Sequence, residues 1–368
     1  MYDVVIVGAG PAGSTLARLI GRRHRVLLVD RRRLDIPFDR CGPGKPCGGL
    51  LAPAAQRELA RQGLGVPGDV LSGPQLFGVR TIDLATRRDR LYQRFYMNVE
   101  REAFDRWLVS LVPPSVDTAF GWTLEDVARD EQGAFLDFRT GAGGHAGVAT
   151  RLLVGADGAS SLVRRLAYPS RQRIPRYVAI QAEFAPVSTE PHYGAIFDDS
   201  LTDFYGWTIP KHDRILLGAA FPAAAGVGAR FEALVARSRA RGVRLGDELQ
   251  RSSAMVLRPS SPLQLLPGAD PVLLVGEAAG FISPSSAEGI SYALRSAASL
   301  GDALAAGVSG AGARYRLAAA PIAAGVAMKV VKARTVYGPV FRGLALKTGV
   351  GAITELRRSA PVPSVLTR

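Results

Sequence analysis

Four short apolar runs frame the chain, and each leads into small residues and an acid. Asp3-Val4-Val5-Ile6-Val7 is continuous and β-branched, which predicts a buried strand. Gly8-Ala9-Gly10-Pro11-Ala12-Gly13 follows at once, and a helical stretch runs from Ser14 to Gly21. The second run, Arg25 to Val29, ends in Asp30. The third, Arg151 to Val154, enters Gly155-Ala156-Asp157-Gly158 and then a helix carrying Arg164 and Arg165. The fourth, Pro271 to Val275, enters Gly276-Glu277-Ala278-Ala279-Gly280.

Other patterns fill the intervals. Pro53 to Gly63 predicts a helix. Gly73 to Arg94 reads as two strands joined by a charged turn at Ala85–Asp89. Val99 to Leu108 returns to helix, with Phe104, Trp107, Leu108 and Leu111 on one face. Strands and a turn at Gly141–Gly144 continue to Thr150. Tyr177 to Val256 is strand-rich, with a helix expected over Phe231–Ala240. Within it, Phe204-Tyr205-Gly206-Trp207-Thr208-Ile209-Pro210-Lys211 spaces its aromatic residues to line one sheet face over an apolar pocket; an ordinary aromatic core is the bland alternative. Phe281 to Glu288 is a loop with Pro284, and Gly289-Ile290 opens a long helix whose N-terminus suits negative charge.

Composition narrows the class. The 368 residues are 47% apolar and 21% charged, so one or two ordinary globular domains are expected. The net charge of +14 points to an anionic partner, either a phosphate-bearing ligand or a membrane surface. Nucleic acid is disfavoured, since no recognised motif accompanies the charge. Of 46 basic residues only Lys45, Lys211, Lys329, Lys332 and Lys347 are lysine. Two cysteines, Cys41 and Cys47, suit a reducing cytoplasm, and His24, His145, His192 and His212 form no metal-ligand pattern. The chain opens directly on a strand, so no signal peptide is expected. Its longest apolar candidate, Leu317 to Met328, is interrupted by Pro321 and is too short to span a bilayer. From Arg314 onward, basic residues face one acid, Glu355, with apolar residues interleaved. A basic amphipathic surface for anionic lipid and a solvated helical cap are equally open readings. Pro361 and Pro363 mark an end expected to fray.

The chemistry begins at the first strand. Gly8 permits a tight turn, Gly10 a close approach of pyrophosphate, and Gly13 close packing of helix on strand. Asp30 stands where a carboxylate would meet a ribose hydroxyl. This unit alone does not separate a nicotinamide cofactor from FAD. Arg31 and its neighbours either flank an adenosine or form a solvated loop. The stretch Cys41-Gly42-Pro43-Gly44-Lys45-Pro46-Cys47-Gly48-Gly49-Leu50 forms a defined loop whose glycines can lie against a flat ligand. From the residues alone, Cys47 reads as packing more readily than as a proton donor.

Taken together, Gly8–Gly13, Asp30, Arg101, Gly155–Gly158 and Gly276-Glu277 resemble FAD enzymes of the para-hydroxybenzoate hydroxylase fold. Lys45–Gly49, Tyr205–Pro210 and Pro284…Glu288-Gly289-Ile290 resemble geranylgeranyl reductases, nearest their CbrA-type bacterial branch. The resemblance weakens after about Ala320. It implies an α/β fold with a Rossmann-like FAD-binding domain over 1–72, 95–170 and 265–313. An inserted antiparallel-sheet substrate domain would take 73–94 and 171–264, and a basic helical segment 314–368. It places Gly8, Gly10, Pro11, Ala12 and Gly13 at the pyrophosphate and Asp30 and Arg31 at the adenosine. Pro46, Cys47, Gly48, Gly49, Arg101, Asp157, Gly158, Gly276, Glu277, Pro284, Gly289 and Ile290 complete the cofactor set. Glu277, at the ribitol, stands where most relatives carry Asp. Ile209 replaces the phenylalanine of the family's YxWxFP motif.

The implied reaction is reduction of isolated C=C bonds in a prenyl chain. Cys47 would act beside the reacting carbon, with Tyr205 and Trp207 shaping the pocket. The electron donor, NADPH or ferredoxin, is left open. The expected partner is a prenyl lipid or other apolar small molecule, and the expected place is the cytoplasm with peripheral membrane contact. The alternatives are a flavin monooxygenase, a halogenase, or a flavoprotein whose main role is binding. Tyr205–Pro210 lies one residue from a halogenase WxWxIP motif, but no lysine stands in a context that suggests a halogenase's catalytic one.

Overall fold

The computed structural model describes residues 1–36, 46–141, 143–187 and 191–354. Cys41, Lys45, Glu355, Arg357, Arg358, Pro361, Pro363 and Arg368, which the sequence singles out, lie outside the described residues, as does position 142 of the Gly141–Gly144 turn.

In chain order the elements begin with β1 (Tyr2–Val7), α1 (Pro11–Ile20), β2 (Val26–Asp30), β3 (Leu50–Leu51), α2 (Pro53–Arg61), β4 (Leu76–Asp83), β5 (Arg88–Asn98) and α3 (Arg101–Ser110). Next come β6 (Asp117–Phe120), β7 (Thr123–Arg129), β8 (Ala134–Arg139), β9 (His145–Gly155), α4 (Leu162–Ala167), β10 (Arg176–Pro186), β11 (Tyr193–Phe197), β12 (Gly206–Pro210) and β13 (Ile215–Pro222). The chain continues through α5 (Val227–Ala240), β14 (Leu245–Leu257), β15 (Gly268–Ala269), β16 (Val272–Leu274), α6 (Ile290–Ala305), α7 (Ala311–Val336), α8 (Pro339–Thr348) and β17 (Ala352–Ile353).

The four apolar runs become neighbours in one sheet, ordered β15-β16-β9-β1-β2-β6, with β7 and β8 attached through β9. β1 pairs in parallel with β2 and β9, and β9 in parallel with β16. A parallel sheet is covered on both faces, which is why these strands are continuously apolar. Val4, Val5, Ile6 and every residue of β2 are buried. α1, α6 and α7 supply part of the cover, with Leu16, Ala297, Leu300 and Tyr315 in the same core. α1 starts at Pro11, earlier than the Ser14 expected. A proline at the first helical position loses no hydrogen bond and already has helical φ.

The second sheet is ordered β14-β10-β13-β12-β11-β4-β5-β17, and β3 also pairs with β5. All its pairs are antiparallel except β4 with β11. β4 arrives from an early excursion of the chain and β11 from a later one, so no hairpin dictates their direction. One face packs on α5 through Phe221, Phe231 and Leu234. Leu76, Tyr193, Phe204, Tyr205 and Ile209 form a separate core on this sheet, joined by Leu50, Ala287 and Tyr337 from the loops and helices beside it.

α7 runs 26 residues straight through Pro321. Proline removes the donor to the carbonyl four residues back, at Leu317. Both residues lie on the exposed side of α7, where water can serve that carbonyl.

Candidate functional site

The carboxyl ends of β1, β2, β9 and β16 meet along one line, where open parallel sheets bind their ligands. Each glycine of the first turn has its own reason. Gly8 has φ +108°, and a Cβ there would lie 2.5 Å from the Ala156 carbonyl oxygen. A Cβ on Gly13 would lie 1.8 Å from the Gly8 oxygen, so helix and strand touch backbone to backbone. Gly10 differs, since no atom from elsewhere in the chain lies within 4 Å of its Cβ position. It leaves the N-terminus of α1 clear, and that end carries neither a side-chain cap nor an acid in its first turn. Its free N–H groups and positive dipole end fit the pyrophosphate of a dinucleotide.

Asp30 closes this cradle by accepting the Ala9 N–H at 2.8 Å. Its partner is Arg32, through the backbone N–H at 2.8 Å and the guanidinium at 3.1 Å. Arg31, the residue singled out from sequence, is exposed. Arg32 also donates to Asp105 at 3.0 Å, and Asp105 is held by Arg101 at 2.8 Å. Burial alone would raise the Asp105 pKa, but Arg101 and Arg32 more than offset it and hold it below the usual carboxylate range. For Arg101, Asp105 and a hydrogen bond with Cys47 likewise outweigh the penalty of burial and raise its pKa. The chain Asp30–Arg32–Asp105–Arg101–Cys47 thus links the first cofactor motif to the thiol loop. Arg32 and Asp105 were not foreseen. The three arginines at 31–33 give no sequence sign of which one turns inward.

The second and third glycine turns are shaped by their acids. Asp157 accepts the Leu162 N–H at 2.7 Å and the Ser161 hydroxyl at 2.5 Å, so its carboxylate orders the turn between β9 and α4. Burial raises its pKa, partly countered by those donors. Gly158 adopts φ +73° and Gly276 φ +58°. A Cβ on Gly276 would lie 3.2 Å from that of Ala12, which brings this turn against α1. Glu277 accepts the Leu257 N–H at 2.9 Å, so it reaches from the parallel sheet to the end of β14. Gly289 is the N-cap of α6, Ile290 is buried beneath it, and Glu288 accepts from Ser291 N–H at 2.7 Å. The Pro284 carbonyl accepts from Arg258 at 3.2 Å.

Pro46, Cys47, Gly48 and Gly49 run between these turns and the second sheet. A Cβ on Gly48 would lie 2.4 Å from Ile209 Cδ1, and one on Gly49, at φ +63°, 2.1 Å from the Val99 oxygen. The loop is therefore clamped against β12. Beside it, Tyr205 donates to the Ser286 carbonyl at 2.8 Å and accepts from Tyr193 at 3.2 Å. Burial pushes the Tyr205 pKa upward, so the hydroxyl stays neutral. Trp207 meets Tyr205 edge-on at 5.9 Å and donates to Gln181 at 3.2 Å. Tyr205, Trp207 and Ile209 share one core with Tyr96, Tyr193, Phe197, Phe204 and Tyr337. Of these, Phe204 belongs to the stretch singled out from sequence, whereas Tyr96, Tyr193, Phe197 and Tyr337 were missed because they come from β5, β11 and the α7–α8 junction.

Lys211 was also missed. It is 3% exposed, and its ammonium donates at 2.7 Å to both Asn98 Oδ1 and the Val99 carbonyl. Burial lowers its pKa to about 8. A lysine kept beside an aromatic motif, in a chain that otherwise prefers arginine, was the available signal. Among the described residues no group of side chains is arranged to hold a metal ion, and no helix is long and apolar enough to cross a membrane.

No protein-family model matches the chain. Among solved structures it resembles a geranylgeranyl bacteriochlorophyll reductase-like protein from Thermoplasma acidophilum, with TM-score 0.78, 18% identity, and 93% of this chain and 89% of that one covered. It also resembles a triple mutant of the flavin-dependent brominase Bmp2, with TM-score 0.73, 18% identity and coverage of 95% and 92%. PqsL from Pseudomonas aeruginosa, a probable FAD-dependent monooxygenase, matches with TM-score 0.68, 22% identity and coverage of 94% and 98%. The glycine turns at the strand ends and the second sheet facing them define a fold of the para-hydroxybenzoate hydroxylase class. Over 299 residues the sequence is 44% identical to protein CbrA of Escherichia coli O139:H28 (strain E24377A / ETEC), covering 80% of this chain and 82% of that protein. The chain belongs to the CbrA family.

Proposed function

We propose that the chain is an FAD-dependent oxidoreductase that reduces C=C bonds in a prenyl-type chain. The observation that supports this best is the meeting of a thiol with an apolar wall. Cys47 bonds to Arg101, and the next residue is pressed onto Ile209 in the aromatic face of Tyr205 and Trp207. Gly8, Gly10, Gly13 and the α1 N-terminus would hold the pyrophosphate, with Asp30 at the adenosine. When bound and reduced, FAD supplies a hydride.

An isolated alkene accepts hydride poorly, so the protein's task is to deliver a proton to one carbon and keep water out. Cys47 is assigned that proton. Arg101 orients the sulfur and stabilises the thiolate left behind. Tyr205 and Trp207 form the wall against which the chain lies. The external electron donor is unassigned, so the test supplies electrons chemically.

A second reading is a monooxygenase acting on an aromatic molecule. The Tyr193–Tyr205 hydroxyl pair and buried Lys211 favour it, because they give the apolar wall a polar edge. Reduced protein mixed with geranylgeranyl diphosphate without oxygen separates the two. Product carrying added hydrogen by mass spectrometry supports the reductase. Unchanged lipid, with turnover of an aromatic substrate only after air enters, overturns it.

A further inference from the structure

The last helix, α8, is built inside out. On α8, Arg342 is 6% exposed and Leu346 is 2%, whereas Val340, Phe341 and Leu344 are 79%, 62% and 57% exposed. At helical spacing Val340, Phe341, Leu344 and Lys347 share one side, and Arg342 and Leu346 share the other. The end of α7 buries Val326, Val330 and Ala333 on one side and adds exposed apolar residues on the other. Lys329 is half-buried with its ammonium 4.9 Å from the centre of the Tyr292 ring, while Met328 and Val331 are 70% and 66% exposed. Beyond α8, Val350 is 81% and Ile353 46% exposed.

A surface helix ordinarily turns its apolar stripe inward. Here Arg342 pins α8 by pairing with Asp83 at 2.9 Å and Asp199 at 2.5 Å. β17 then pairs with β5 and fixes the following residues to the same sheet. An outward apolar stripe held by a buried ion pair is not an accident of loose packing, and clustered exposure of this kind marks a contact surface.

Charge identifies what it contacts. Between Ala303 and Thr354 the sequence has no Asp or Glu, but it has Arg314, Arg316, Lys329, Lys332, Arg334, Arg342 and Lys347. Arg316, Lys332 and Lys347 are exposed. A protein partner would more usually be met by charges of both signs. Apolar residues among cations alone match the interface of an anionic bilayer. We propose that the outer face of α7, α8 and β17 docks this protein on an anionic lipid membrane. The surface adjoins the site: Tyr337, between α7 and α8, donates to the Ser285 carbonyl at 3.0 Å and packs on Phe197 and Phe204. The docking does not depend on which reaction the site performs.

The test is co-sedimentation of the full-length flavoprotein with vesicles of phosphatidylglycerol and phosphatidylcholine, or of phosphatidylcholine alone. Binding to the anionic vesicles, weakened by salt, is expected. The exposed pair Phe341→Asp and Leu344→Asp should reduce partitioning by about tenfold or more, and Lys332→Glu with Lys347→Glu should reduce it in low salt, each with flavin content unchanged. Absence of binding to anionic vesicles would overturn the proposal. So would equal binding by both double variants, or a dimer that the Phe341/Leu344 pair dissociates while vesicle binding is nil.

Discussion

Lys211 keeps an ammonium at 3% exposure on two neutral oxygens, and its pKa falls to about 8 as a result. The unfolded chain holds that proton up to about its ordinary value of 10.5. Between these values the unfolded state binds more protons, so stability attributable to Lys211 rises with pH across the window and is constant below it. Lys211→Met should abolish that rise, seen as a smaller change in urea midpoint between pH about 8 and about 10.5. An identical slope in both proteins would show that the group is not so buried. Cys47→Ala makes a separate prediction: retained flavin with turnover lowered by about 10²-fold or more. Unchanged turnover would return Cys47 to a packing role. Glycines and acids at strand ends could be located from sequence because their signal is local. Arg32 and Asp105 were harder to place, since the bond that joins them spans 73 residues, and Lys211 left only its setting as a signal, its two oxygen partners lying 112 and 113 residues away.

At the scale of elements, two contacts govern the account. The first is the approach of α1 to β1 at Gly13, where a Cβ would meet backbone at 1.8 Å. Gly13→Ala should destabilise the protein by about 1–3 kcal/mol and lower the flavin content, read by thermal unfolding and absorbance. Gly10→Val should lower the flavin content with little loss of stability, because open space surrounds that position. The contrast between them separates packing from ligand exclusion. The second contact is Arg342 with Asp83. Removing one partner of a buried pair costs about 3–5 kcal/mol, so Arg342→Leu should free α8 and speed proteolysis near it. Digestion at the native rate would contradict that. The strands of the first sheet that carry the glycine turns, and α2, followed from local apolar pattern. α8's inverted face did not, because Arg342 and Asp83 are 259 positions apart and an amphipathic pattern does not say which side is buried.

For the whole molecule, the arrangement is a phosphate-fitting cradle on one sheet and an apolar aromatic wall on another. Side chains that cross between them hold the two together. Glu277 reaches the end of β14, Tyr205 and Tyr337 grip the Ser285–Ser286 backbone, and Arg258 bonds Pro284 while its guanidinium lies 4.5 Å from the Phe204 ring centre. The fold class was visible in the sequence because four strand–turn units recur at the ends of parallel strands. The wall was visible only in part, since Tyr205 and Trp207 are two residues apart in sequence whereas Tyr96, Tyr193 and Tyr337 come from separate elements. Under the proposed function this site passes hydrogen to an apolar alkene and not oxygen to an aromatic ring. The most direct measurement is the visible absorbance of the dithionite-reduced flavoprotein, oxygen excluded, after a prenyl lipid is added. Return of the oxidised flavin spectrum in step with lipid addition is the predicted result. A flavin that stays reduced until air is admitted would contradict the account.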